Sequence, residues 1–402
     1  MKAIVRSTLA AATTAFFCLG AGPVFATTIS GTYEGFSWIA QSLLTGVTST
    51  GNSSDPAGDS IYHPIYPTYN GAVSLVMNYG AEGSYGCSGS LLSDRRSILT
   101  AAHCVSHGAG AANPLSTMVL FQPDGGLAAD TRIQTSAVPA AGVSVVAVSD
   151  YFVHSEYSGR VIDQNDIAVL RLSDVAPAWT TSYGLYTAPD LAGKDFVVTG
   201  YGRLGDGATG TNDLSARLRT GENTYDYRLG DDIFGDQWAN VLGYPGTQIE
   251  HSWVADFDSG LTQNDSNCLI AMASNMAGAA GSIFCDTGLG AREAAHAPGD
   301  SGGAGFVDGL IASVNSYGLT FWSQWGDVDN SLNASFGELT GYVPVYLHSN
   351  WIQSQMYNTV PEPDSSALVL LGLMGLSCFM RRRHPIQHDQ RTRGELTSHR
   401  IQ

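Results

Sequence analysis

Two short blocks hold residue types that could make a nucleophile. One is Gly299-Asp300-Ser301-Gly302-Gly303, and the other, far upstream, is Thr100-Ala101-Ala102-His103-Cys104. A serine hydroxyl is a weak nucleophile until a base takes its proton, and histidine titrates in the right range to do so. Glycines on both sides of Ser301 permit the tight turn that aims backbone N–H groups at a developing oxyanion. The chemistry within reach is acyl transfer through Ser301 with a histidine as base. A Gly-Ser-Gly turn is common by itself, and so is a His-Cys pair, so the blocks around them decide.

Taken together, the two blocks resemble the signature blocks of the chymotrypsin/trypsin-like serine peptidase family. In that family the chain order is His, Asp, Ser, and the acid implied here is Asp166, at the head of Asp166-Ile167-Ala168-Val169-Leu170-Arg171-Leu172. Three further blocks agree. Thr199-Gly200-Tyr201-Gly202 is similar to the family's glycine-aromatic-glycine corner, Ser316-Tyr317-Gly318 to the strand that pairs with substrate backbone, and Trp351-Ile352 to the start of its closing helix. The resemblance runs from about residue 61 to about 358. It implies His103 as general base, Asp166 as its orienting carboxylate and Ser301 as nucleophile. It further implies an oxyanion hole at the amides of Gly299 and Ser301, and substrate-binding positions at Ala295, Ser316, Tyr317 and Gly318.

Ala295 stands where trypsin-like relatives have the floor of the primary pocket. No acid is present there, so the resemblance implies an uncharged P1 side chain rather than Lys or Arg. The adjacent His296 reads as an exposed loop histidine. Many relatives begin at an Ile-Val-Gly-Gly-like terminus whose amine pairs with the aspartate before the nucleophile, here Asp300. No such block is present, and Asp300 is expected to find another cation rather than an amine freed at Ile61. Of six cysteines, Cys87, Cys104, Cys268 and Cys285 lie outside the terminal segments, and four allow three pairings. The resemblance selects Cys87–Cys104 and Cys268–Cys285. A zinc site is disfavoured by the lack of close Cys pairs.

Elements must bring these distant blocks together. Runs at 72–77, 97–100, 117–121, 143–148 and 167–172 read as strands of a first barrel, and runs at 196–199, 251–254, 304–307 and 310–314 as strands of a second. The expected fold is all-β: two antiparallel Greek-key barrels, at about 61–185 and 186–345, closed by a short helix at 344–356. No helix-period stretch of useful length precedes that helix. The long stretches 203–267 and 319–341 read as loops bordering the cleft, and residues 27–60, rich in Ser, Thr and Gly, as an exposed leader or propeptide.

The chain has 402 residues, 47 of them glycine, with 44% hydrophobic content, which suits a large all-β body. Between residues 27 and 360, 11 Lys and Arg face 32 Asp and Glu, a formal charge of −21. That balance excludes a phosphate-backbone binder, so no nucleic-acid partner is expected. Lys2 and Arg6, an apolar run and Val24-Phe25-Ala26 read as an export signal cleaved after residue 26. At the other end Val360-Pro361-Glu362-Pro363, the apolar run 366–380 and Arg381-Arg382-Arg383 resemble a PEP-CTERM sorting signal, over 359–383, followed by a basic tail, 384–402. That resemblance implies a Gram-negative bacterium, an exosortase-type processing enzyme as partner, transient membrane anchoring through 366–380, and delivery to the envelope or beyond. The expected activity is a monomeric, secreted endopeptidase on protein or peptide substrates, needing neither metal nor cofactor. Asp327-Val328-Asp329-Asn330 is too short a match for calcium. The competing readings are a silent peptidase-fold binding protein and an esterase using the same triad.

Overall fold

The computed structural model describes residues 29–357, apart from 34–35, 42–44, 109–113, 124–141, 215–216, 244–247 and 274–275. The expected export signal, sorting signal with its apolar run 366–380, and basic tail lie outside the described residues. Among the described residues no helix is long and apolar enough to cross a membrane.

Three strands open the chain: β1 (Ile29–Tyr33), β2 (Phe36–Gln41) and β3 (Thr45–Gly46). Six more follow: β4 (Ala72–Asn78), β5 (Ser84–Leu91), β6 (Ser97–Thr100), β7 (Ser116–Phe121), β8 (Ser144–Val153) and β9 (Ala168–Leu172). They close into a barrel in the order β4-β5-β6-β9-β8-β7, antiparallel at every pairing. Val73, Leu75, Leu99, Phe121 and Val169 are among the buried side chains of its core. The sequence pattern passes over β5, because Ser84-Tyr85-Gly86-Cys87-Ser88-Gly89-Ser90-Leu91 is mostly Gly and Ser and has little intrinsic strand preference. Its flanking strands make it a strand, and a Cβ on Gly89 would lie 2.6 Å from Ile98 Cγ2, so the small residue belongs there.

The second half contributes β10 (Asp195–Gly200), β11 (Arg203–Asp206), β12 (Gly210–Leu214), β13 (Arg219–Thr224), β14 (Tyr227–Arg228), β15 (Trp253–Asp256), β16 (Ala294–Ala295), β17 (Ala304–Val307), β18 (Leu310–Thr320) and β19 (Leu339–Pro344). One sheet runs β13-β10-β17-β18-β19-β15-β14, with β2 and then β1 added on β18, and a smaller sheet runs β12-β11-β3-β16. The described residues are therefore mostly β, a closed barrel followed by an open half-barrel, which is consistent with the two-barrel expectation although the second half does not close. One hydrophobic core joins the halves: Phe306 sits 4.7 Å from the Tyr183 ring and 5.4 Å from that of Tyr69.

The described residues hold three α-helices: α1 (Gln237–Leu242), α2 (Ser266–Ala273) and α3 (Val345–Tyr357). The last is the closing helix, and it packs Ile352 and Met356 onto the barrel core. The other two were not expected from the sequence, since one or two turns carry too few apolar repeats to read. They pack Trp238, Leu242 and Ile270 with Phe234, Phe284 and Phe321 into a separate core.

The leader is a further difference. Thr45 and Thr50 are fully buried, the Thr50 hydroxyl donates to the Gly205 carbonyl at 3.0 Å, and buried Arg219 donates to the carbonyls of Thr50 at 2.8 Å and Pro56 at 2.7 Å. A Ser/Thr-rich run reads as solvent-facing, but its polar groups here are satisfied inside the body. Asp327 accepts from the Asp329 and Asn330 amides and the Thr320 hydroxyl, which closes a turn.

Candidate active site

His103 lies in the single 3-10 turn Ala102–Cys104 that follows β6, and the Cys87–Cys104 disulfide fastens that turn to β5. Asp166 precedes β9, the strand paired with β6. Pairing of β6 with β9 thus brings the two residues together across 63 positions of chain. The His103 amide donates to Asp166 Oδ1 at 2.8 Å, and His103 Nδ1 lies 2.7 Å from Asp166 Oδ2. A carboxylate at Nδ1 fixes the tautomer with the proton on that nitrogen, which leaves Nε2 as the basic atom. Asp166 is 1% exposed and accepts a third bond, from the Ser316 hydroxyl at 2.6 Å.

Ser316 sits on β18 where the β18–β19 register shifts between Asn315 and Tyr317. A bulge re-aims a side chain out of strand alternation, and this one turns Ser316 onto Asp166. Tyr317 is fully buried, with its hydroxyl 2.8 Å from Ser252 Oγ, so its ring belongs to the core under the site. Gly318 pairs on one side with Thr340 of β19, and its other edge is the one the resemblance assigns to substrate. That edge is taken, because β2 pairs with it antiparallel, Gln41 opposite Gly318, Ala40 opposite Leu319 and Ile39 opposite Thr320.

The turn holding Ser301 needs its glycines. Gly299 and Gly302 have φ of +98° and +81°, and a Cβ on Gly302 would lie 2.0 Å from Thr100 Oγ1. Internal bonds close it, from the Asp300 amide to Ala297 O at 2.9 Å and from the Gly303 amide to Asp300 O at 2.8 Å. Ser88 of β5 ties it to the barrel: its amide donates to Ser301 O at 2.8 Å, and its hydroxyl donates to Gly299 O at 2.9 Å while accepting from the Tyr201 amide at 2.9 Å. Cys104 Sγ is 3.6 Å from the same Ser301 carbonyl, so the Ser301 turn rests against the His103 turn. Among the described residues the amides of Gly299 and Ser301 have no backbone acceptor, as an oxyanion hole requires. Nor is a hydrogen bond formed by the Ser301 hydroxyl among them, a contact that often tightens only with substrate in place.

Asp300 corrects one expectation. It is fully buried and accepts from the Gly202 and Ala297 amides, each at 2.7 Å, with no cation beside it among the described residues. Burial pushes its carboxyl well above the usual range. Ile61 is 40% exposed and its amide donates to Asp59 Oδ1 at 3.1 Å, so it does not reach Asp300 either.

The pocket positions differ in part. Ala295 is fully buried on β16, paired with Thr45 of β3. His296, expected on an exposed loop, is 1% exposed, with its ring 5.3 Å from Tyr342 and Nε2 3.4 Å from the Gly341 carbonyl. Flanking alanines gave no hint that the histidine would turn inward. The second disulfide, Cys268–Cys285, links α2 to the 3-10 segment Gly278–Phe284. Ser88 and β3 are the site's unforeseen supports; a serine between glycines carries no pattern that would mark it.

The family model described as Trypsin matches residues 64–225, a span holding the first barrel, His103 and Asp166. No curated protein matches the chain. The match supports a trypsin-like serine peptidase, a hydrolase of protein or peptide substrates.

Proposed function

We propose that this chain is a serine endopeptidase working through Ser301, His103 and Asp166, made in a latent form. The observation that carries the reading is the buried Asp166 carboxylate, bonded to both the amide and Nδ1 of His103, next to the glycine-bounded Ser301 turn. In the reaction, Ser301 Oγ attacks the peptide carbonyl as its proton passes to His103 Nε2. The amides of Gly299 and Ser301 receive the oxyanion, and the imidazolium is stabilised by Asp166. His103 then protonates the leaving amine, and water activated by the same nitrogen hydrolyses the acyl-enzyme. Ala295 and Gly318 suit an uncharged P1 side chain.

Latency rests on two observations. β2 lies on the Gly318 edge that the resemblance assigns to substrate backbone, and Asp300 is buried without a cation. A cut in the connection between β2 and β3 would answer both. It would free the β18 edge and create an amine within three residues of Thr45, whose strand pairs with Ala294–Ala295 just ahead of the Ala297 amide that holds Asp300. The two disulfides and the sequence of both ends support export, with an envelope or extracellular destination.

The test is hydrolysis of a peptide library by the full chain after limited proteolysis, with the N-terminus of the active species read by mass spectrometry. The reading requires an active species beginning between residues 42 and 45, and a loss of roughly 10⁴ to 10⁶-fold in Ser301→Ala and His103→Ala. Full activity of the uncut chain would overturn the latency, an active species beginning near Ile61 would overturn the cut between β2 and β3, and activity surviving Ser301→Ala would overturn the peptidase assignment.

A further inference from the structure

The end of β15 and the connection leading from it to β16 bury an unusual group of acids. Asp256 ends β15, Asp258 follows two residues later, and Asp265 precedes α2. Their exposures are 5%, 2% and 2%, and one carboxylate oxygen from each lies within 4.8 Å of the other two. Calcium–oxygen distances are about 2.3–2.6 Å, so two ligands on one ion can be at most about 4.6–5.2 Å apart. The spacing therefore fits a single ion.

The surroundings hold these groups in place without neutralising them. Asp256 Oδ2 accepts from the Asn267 amide at 2.8 Å, and Asp265 Oδ1 accepts from the Cys268 amide at 2.8 Å as the cap of α2. Behind them, Asp226 Oδ2 accepts from the Asp256 amide at 3.1 Å, and Glu293 Oε1 accepts from the Asp258 amide at 2.6 Å. Asp258 Oδ1 is fully enclosed with no donor among the described residues. None of these five acids forms an ion pair with Lys or Arg among the described residues. An enclosed carboxylate oxygen with no partner costs far more than one paired with a cation.

We propose that Asp256, Asp258 and Asp265 form a site for a hard divalent cation of the calcium class, which fastens the end of β15 to the start of α2. All-oxygen, carboxylate-rich donors select calcium over the softer transition metals. The ion stiffens the insertion between β15 and β16. Asn223 relays this to the Ala295 strand, since its side-chain amide donates to Asp256 O at 2.8 Å and to Ala294 O at 3.2 Å.

The inference is independent of the peptidase reading, and its test uses no activity. The full chain in detergent is stripped with a chelator, its melting temperature is measured with and without millimolar calcium, and bound metal is counted after gel filtration. The expected result is about one calcium per chain and a rise of at least about 2 °C, with a smaller rise in magnesium. Asp258→Asn removes a charge from a repulsive cluster, so it should melt no lower than the parent in chelator while losing both the bound calcium and the rise. If that variant fails to fold, Asp265→Asn serves, because asparagine keeps the helix cap. No bound calcium and no rise in the parent would mean that the acids share protons instead and would overturn the site. Full calcium binding by both variants would place the ion elsewhere and overturn it equally.

Discussion

At the residue scale the site depends on what each polar atom of Asp166 is given. Three donors converge on it: the His103 amide, His103 Nδ1 and the Ser316 hydroxyl. The first two hold the imidazole, and the third keeps the carboxylate aimed. A hydrogen bond to a charged group contributes about 1.5–3 kcal/mol, roughly 10- to 100-fold in rate. Ser316→Ala should therefore lower kcat/KM by about that factor, mostly through kcat, and lower the melting temperature by a few degrees. A loss under threefold would show that the hydroxyl contributes nothing to the reaction. His103, Asp166 and Ser301 could be read from sequence because each sits in a block of unusual composition. Ser88 and the acids 256, 258 and 265 could not, since their roles come from the direction of a side chain after folding and not from spacing along the chain.

At the element scale, closure of the site falls to parts with unequal sequence signals. Strands with alternating or continuous apolar residues, such as 72–78 and 97–100, were legible, whereas β5 is a strand only because its neighbours pair with it. The β2–β18 pairing was illegible because residues 36–41 stand in a Ser-, Thr- and Gly-rich stretch and nothing along the chain marks so distant a strand as their partner. α3 was legible, and it does more than close the chain. Buried His348 on α3 lies 2.8 Å through Nε2 from the carbonyl of Gln164, two residues before Asp166, and packs 4.7 Å from the His154 ring. Burial holds its pKa down, from 6.5 to about 4. The sign follows from that depression. The folded state keeps the full margin above about pH 6.5 and loses it as pH falls through the window to about 4, by up to about 3 kcal/mol. His348→Gln keeps a donor for Gln164 and removes the titration. Its melting temperature should fall less than the parent's between pH 7 and pH 4, and superimposable curves would show that His348 does not set the acid limb.

At the scale of the whole molecule, a strongly acidic body of two β halves carries the Ser301 turn on one half and the His103–Asp166 pair on the other. β2 then lies on the Gly318 edge of β18, with β1 paired to it. The two-half plan was legible because its strand blocks recur in order with turn residues between them. The insertion from 257 to 293 was not, because its short helices and buried acids follow no period. The central claim is an activated Ser301 held behind β2, and the most direct measurement is fluorophosphonate labelling of the full chain, read by intact mass. Parent and Ser301→Ala protein would be compared before and after a cut between β2 and β3. The account predicts slow labelling of the intact parent, fast labelling at one site after the cut, and none in Ser301→Ala. Labelling that persists in Ser301→Ala, or no labelling of the cut and folded parent, would contradict it.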